Sequence, residues 1–137
     1  VFVGLCGRGK RRTVMREIYR DEADIYYKRE SKMRETQKTI SDWARKTFGD
    51  PKIEPLYEKF CVEVVELQEA LAKSKSGEFE LTDIRQELAD CHILLVQIAD
   101  YFGQNLNQCV DEKMNANRDR TWKISGDGTG QHIKTGC

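Results

Sequence analysis

Glu63-Val-Val-Glu66 and Glu87-Leu-Ala-Asp90 each place two carboxylates three residues apart in strongly apolar surroundings. At about 100° per residue, the paired side chains lie roughly 60° apart and share one helix face. Glu63 and Glu66 are set in Phe60-Cys-Val-Glu-Val-Val-Glu-Leu67, while Glu87 and Asp90 open the apolar run from Leu88 to Ala99. Burying an ionised carboxylate costs several kcal/mol even after relaxation, and gathering four adds mutual repulsion. A fold that collects them must supply positive charge. With two histidines and scattered basic residues, a hard divalent cation on oxygen ligands is the simplest supply. Glu63, Glu66, Glu87 and Asp90 are therefore the candidate metal ligands. The alternative is that they are solvated surface acids of a chain that is 34% charged.

The apolar positions around these pairs have helical spacing. Leu56, Phe60, Val64, Leu67 and Leu71 form one stripe, widened by Val62 and Val65, and Ser74 to Gly77 end that helix. Ile84, Leu88, Cys91, Leu94 or Leu95, Ile98 and Phe102 form the next, with Thr82 as a plausible N-cap and Gly103 as the stop. The short connection makes the two helices antiparallel neighbours. At 1.5 Å per residue, the acid pairs lie about 10 and 16 Å from that connection, a mismatch of one turn that an offset of the helices absorbs. Upstream, a helix is expected from about Lys32 to Phe48, with Met33, Ile40 and Trp43 near one face and Gly49 after it. A loose stripe from Thr13 to Arg29 suggests a helical extension. Downstream, Leu106 and Val110 begin a face that turns polar at Lys113, Asn117 and Arg120, suited to phosphate oxygens.

The chain of 137 residues is long enough for one core. Its zero net charge hides a pattern: residues 51–112 carry 5 Lys/Arg against 13 acids, and residues 1–50 carry 13 against 8. An acidic centre between basic ends suits a cation site that meets an anionic ligand. The five cysteines include no Cys-x-x-Cys pair, which speaks against a zinc site. Cys61, Cys91 and Cys109 read as small core residues of a reduced, cytoplasmic protein. No apolar run reaches a membrane span, Val1 to Cys6 does not read as a signal peptide, and nucleic acid is not the expected partner. Gly4-x4-Gly9-Lys10 nearly spells a phosphate-binding loop, but Arg11 stands where Ser or Thr would hold magnesium. The glycine-rich run after Trp122 has no period and reads as a mobile arm. His92 is read as a core or interface residue without a catalytic role.

Glu63-x-x-Glu66, twenty intervening residues, Glu87-x-x-Asp90 and then Lys113-x3-Asn117-x2-Arg120 together resemble the MazG-like all-α nucleoside triphosphate pyrophosphohydrolases. The resemblance covers roughly Lys32 to Trp122. It implies an all-α, antiparallel bundle of about four core helices at 32–122; the partly helical basic extension at 1–31 and the glycine-rich tail at 123–137 lie outside the family's pattern. It also implies a dimer or tetramer that uses Mg2+, with Mn2+ as a substitute, to split a nucleoside triphosphate into monophosphate and pyrophosphate. Glu63, Glu66, Glu87 and Asp90 would hold the metal, and Glu63 or Glu66 would take the proton of the attacking water. Lys113, Asn117 and Arg120 would lie near the phosphates, and Trp43 near the base. A deoxypyrimidine or damaged nucleotide and a house-cleaning role are the expected substrate and setting. The competing expectation is a non-catalytic, oligomeric helical interaction protein.

Overall fold

The computed structural model describes residues 35–77 and 80–134. The basic N-terminal segment, with its glycine near-motif and its helical stripe, lies outside the described residues, as do Lys32, Met33 and the last three residues. Among the described residues, the compact unit that begins at Gln37 contains four helices: α1 Gln37–Phe48, α2 Ile53–Ser76, α3 Leu81–Tyr101 and α4 Leu106–Arg118. The architecture is all-α, as expected, with one small hairpin appended. α3 is central: it packs most extensively on α2, then on α1, and more lightly on α4.

Local chemistry sets the boundaries. Gly49 and Gly77 follow α1 and α2 with φ of 83° and 81°, the left-handed backbone that a glycine adopts without steric cost. Glu80, not Thr82, precedes α3; its backbone is extended and its side chain makes no capping hydrogen bond. Asn105 caps α4, its side-chain oxygen accepting from the Gln108 N–H at 3.1 Å. One side chain ties the start of α1 to the α3–α4 turn. The Gln37 amide donates to the Gln104 carbonyl at 2.6 Å and accepts from the Leu106 N–H at 2.9 Å. Arg45 adds an ion pair from α1 to Asp100 on α3.

The buried stripes differ from those that the apolar residues alone suggest. On α2, the positions withdrawn from solvent are Ile53, Leu56, Phe60, Glu63, Leu67, Ala70 and Ser74, whereas Val64 and Leu71 are 41% and 45% exposed. On α3, they include Ile84, Glu87, Cys91, Leu94 and Ile98, whereas Leu88 is 53% exposed. Each set follows the alternating spacing of four and three that keeps one helix face on its neighbour. In each, one core slot holds a glutamate. Cys91 is buried, but Cys109 on α4 is exposed, and so is Cys61, which falls off the α2 face. His92 likewise falls off the α3 face and is exposed.

The tail is not aperiodic. Trp122–Ile124 (β1) pairs antiparallel with Gly130–His132 (β2), Trp122 opposite His132. The intervening glycines supply turn geometry: Gly126 and Gly128 have φ of 83° and 94°, and Asp127 accepts from both the backbone N–H and the hydroxyl of Thr129. Trp122 donates its indole N–H to the Asn117 carbonyl at 2.9 Å, fastening the hairpin to the end of α4.

Candidate metal centre and adjoining cavity

Because Glu63 and Glu87 occupy facing core slots on α2 and α3, their carboxylates meet instead of pointing to water. Glu66, one turn after Glu63, joins them, and one oxygen from each of the three lies within 4.8 Å of the others. Glu63 is 6% exposed, Glu87 is half-buried and Glu66 is exposed, so the trio runs from the core to the surface. Asp90 stands outside this group, one turn beyond Glu87, on the wall of the adjoining cavity with Glu63.

The electrostatics are those of crowded acids. Glu63 accepts a hydrogen bond from Lys59, which holds its carboxyl below the ordinary value despite burial. Glu66 is pushed above the ordinary glutamate value, first by its hydrogen bond to Glu63 and then by that neighbour's charge. Of the two, Glu66 is therefore the one that holds a proton more firmly. Glu87 Oε2 is buried and has no hydrogen-bond partner. Leaving a carboxylate oxygen dry and unpaired costs about 1–3 kcal/mol or more, so this oxygen is suited to a ligand from outside the chain. Oxygen donors from three carboxylates fit a hard divalent cation such as Mg2+ or Mn2+ and do not fit a thiophilic one. Cys91 adds no soft ligand: burial, then the charges of Glu63, Glu87 and Asp90, push its thiol up and keep it protonated.

A cavity of about 690 Å³ opens beside the acids, between α1, the Gly49–Lys52 link, α2 and α3. Trp43 and Phe48 stand on its α1 side, their rings edge to face at 5.4 Å. Lys59, Glu63 and Asp90 mark the side that meets the metal centre. Small residues let α1 approach: Ser41 and Ala44 are its buried positions. Trp43, the residue expected beside the base, lines this cavity. Lys113, Asn117 and Arg120 belong neither to the acid cluster nor to the cavity wall of a single chain. Arg120 instead bonds the Asn117 side chain at 3.3 Å, and no residue of α4 is fully buried. Lys59 was not singled out by the sequence, although its place four residues before Glu63 is the available signal.

No family model matches the chain. Over 102 residues it is 37% identical to a dATP/dGTP diphosphohydrolase of Salmonella phage PMBT28. That match takes in 74% of this chain and 32% of the phage protein, so the chain spans about a third of its relative's length. A solved structure, the cyanophage S-2L MazG-like pyrophosphohydrolase bound to dGDP and three catalytic Mn2+ ions per active site, superposes with a TM-score of 0.55 at 24% identity. The superposition covers 71% of this chain and 92% of that one. Four helices, core glutamates facing each other across α2 and α3, and the superposition on that structure together show that the chain has the all-α fold of a MazG-like pyrophosphohydrolase.

Proposed function

We propose that this chain is a divalent-metal-dependent nucleoside triphosphate pyrophosphohydrolase that releases a monophosphate and pyrophosphate. The observation that carries this reading is the pair of core slots given to Glu63 and Glu87, with a buried, unpartnered carboxylate oxygen between two helices. A fold that needed only helix packing would place leucine there. The purine nucleotides in the names of both relatives shift the preferred substrate from a deoxypyrimidine to a purine deoxynucleotide. A cavity of about 690 Å³ beside the acids is of the size that holds such a ligand.

Glu63, Glu66 and Glu87 would hold the cation, with Asp90 at its edge. When bound, the cation would neutralise charge on the phosphates and help acidify the attacking water. Trp43 would lie against the base. Glu66, exposed where Glu63 is buried and held above the ordinary glutamate value by its hydrogen bond to Glu63, is the better placed of the first pair to take a proton. Water attacks the α-phosphorus, the bond to the bridging α–β oxygen breaks, pyrophosphate leaves, and the water's proton passes to Glu66. A house-cleaning role suits such a reaction.

Self-association belongs to the same reading. Val62, Val64, Val65 and Leu71 on α2 and Val110 and Met114 on α4 are all more than 40% exposed in the single chain. A dimer or tetramer would cover them, and it would offer Lys113, Asn117 and Arg120 a route to a neighbour's phosphates. The test is a pyrophosphate-release screen over canonical and modified nucleotides with Mg2+ or Mn2+. Glu66→Ala and Asp90→Ala should abolish release and keep the helical content; normal turnover in both refutes the assignment. Where the chain is only an interaction module, its melting temperature will not respond to either cation.

A further inference from the structure

Lys59 occupies a place that the helix alone does not explain. It pairs with Glu63 four residues later, in the order, lysine before glutamate, that stabilises a helix less than the reverse. The two partners are unequal: the lysine side chain is 60% exposed and the glutamate 8%. The ammonium can therefore swing away on its flexible stem, and Glu63 cannot follow it. Lys59 also lines the cavity together with Glu63 and Asp90, at the seam between the metal centre and the space for a nucleoside. Two other cations line that cavity. Arg45 is held by Asp100, and Lys52 stands on the α1–α2 link.

We propose that Lys59 has two partners in turn: Glu63 in the cation-free protein, and a phosphate oxygen of the nucleotide once Glu63 is engaged by a divalent cation. The reason is charge. A divalent cation at Glu63 repels the neighbouring ammonium and removes its partner's free charge, while the polyphosphate entering beside it offers new anionic oxygens. Lys59 thus serves as a built-in stand-in that keeps the crowded acids tolerable before the metal arrives, and then as a phosphate contact. This inference rests on the pyrophosphohydrolase reading for its substrate class, but not for its test.

The test compares the full chain with Lys59→Met and Lys59→Arg in two equilibrium titrations. The first adds Mn2+ alone; the second adds the α,β-methylene analogue of dATP, which cannot be split at the scissile bond, at saturating Mn2+. Removing the ammonium should tighten Mn2+ binding about three- to tenfold, because a competing positive charge is gone. The same change should weaken the nucleotide analogue about tenfold or more, through loss of a charged hydrogen bond. Lys59→Arg, which keeps the charge, should stay near wild type in both. A residue with a merely structural role would not move the two affinities in opposite directions. Unchanged or weaker Mn2+ binding in Lys59→Met, or an unchanged affinity for the analogue, overturns the proposal, and Lys59→Gln replaces Lys59→Met if the latter does not fold. A wild-type chain that binds the analogue but releases no pyrophosphate from any nucleotide would refute the enzymatic reading and leave Lys59 to be decided by these titrations.

Discussion

A glutamate in a core slot is tolerated only with something to satisfy it, and each of the two here solves this differently. Glu63 borrows Lys59, whereas Glu87 keeps an oxygen without a partner. Glu87→Leu should therefore stabilise the cation-free protein, by about 1 kcal/mol or more, while removing its response to Mn2+; chemical denaturation with and without the cation measures both. A less stable apo variant would show that Glu87 is satisfied within the chain. Glu66 makes a prediction in pH. Its raised value means that the folded chain holds a proton there more firmly than the unfolded chain, so this contribution to stability is fully present below the ordinary value of 4.5 and is lost as pH rises through the raised one. Melts in chelator should show that loss as pH rises above 4.5, and Glu66→Gln should remove it. The depressed Glu63 acts with the opposite sign, below 4.5, where acid costs it the Lys59 pair. A cation held at Glu66 would compete with a proton there, so Mn2+ affinity should fall with acidification over the Glu66 range.

At the scale of elements, the site depends on how α1 and α4 are clamped to α3. Gln37 spans this junction with both ends of its amide. Gln37→Ala leaves the Leu106 N–H without its acceptor and should cost about 1–2 kcal/mol. Hydrogen exchange should then accelerate at Leu106 but not in the middle of α3. The α2–α3 connection is equally specific. Gly77 has φ of 81° with open space around its missing Cβ, so Gly77→Ala should cost about 1 kcal/mol through backbone strain alone. The hairpin shows what an element-level reading of the sequence misses. Its glycines look like a linker by composition, yet Gly126, Asp127 and Gly128 are turn residues, and strands of three residues are too short for a period to show.

At the scale of the whole molecule, α2 carries more apolar surface than one chain uses. Tyr57, Val64 and Leu71 follow one another at seven-residue spacing beside the buried stripe, each at least 41% exposed. A helix apolar on more than one side is a helix with more than one neighbour. Val64→Asp or Leu71→Asp should shift the chain to monomers in sedimentation experiments; a wild-type chain that sediments as a monomer would contradict this reading. Among the described residues, no helix is long and apolar enough to cross a membrane.

The four-helix plan, the helix ends at Phe48 and Ser76, and the acids as the centre of interest were legible in the linear chain, because periodicity and glycine stops are local properties. Which residues fill the core stripes was not. A stripe drawn through apolar residues selects Val64 and Leu88, and only the packing of α2 against α3 reveals that Glu63 and Glu87 hold those places instead. The separation of Asp90 from the trio and the absence of α4 from the cavity wall depend likewise on the offset between helices. That offset is set by contacts between residues far apart in sequence, where spacing along the chain carries no information.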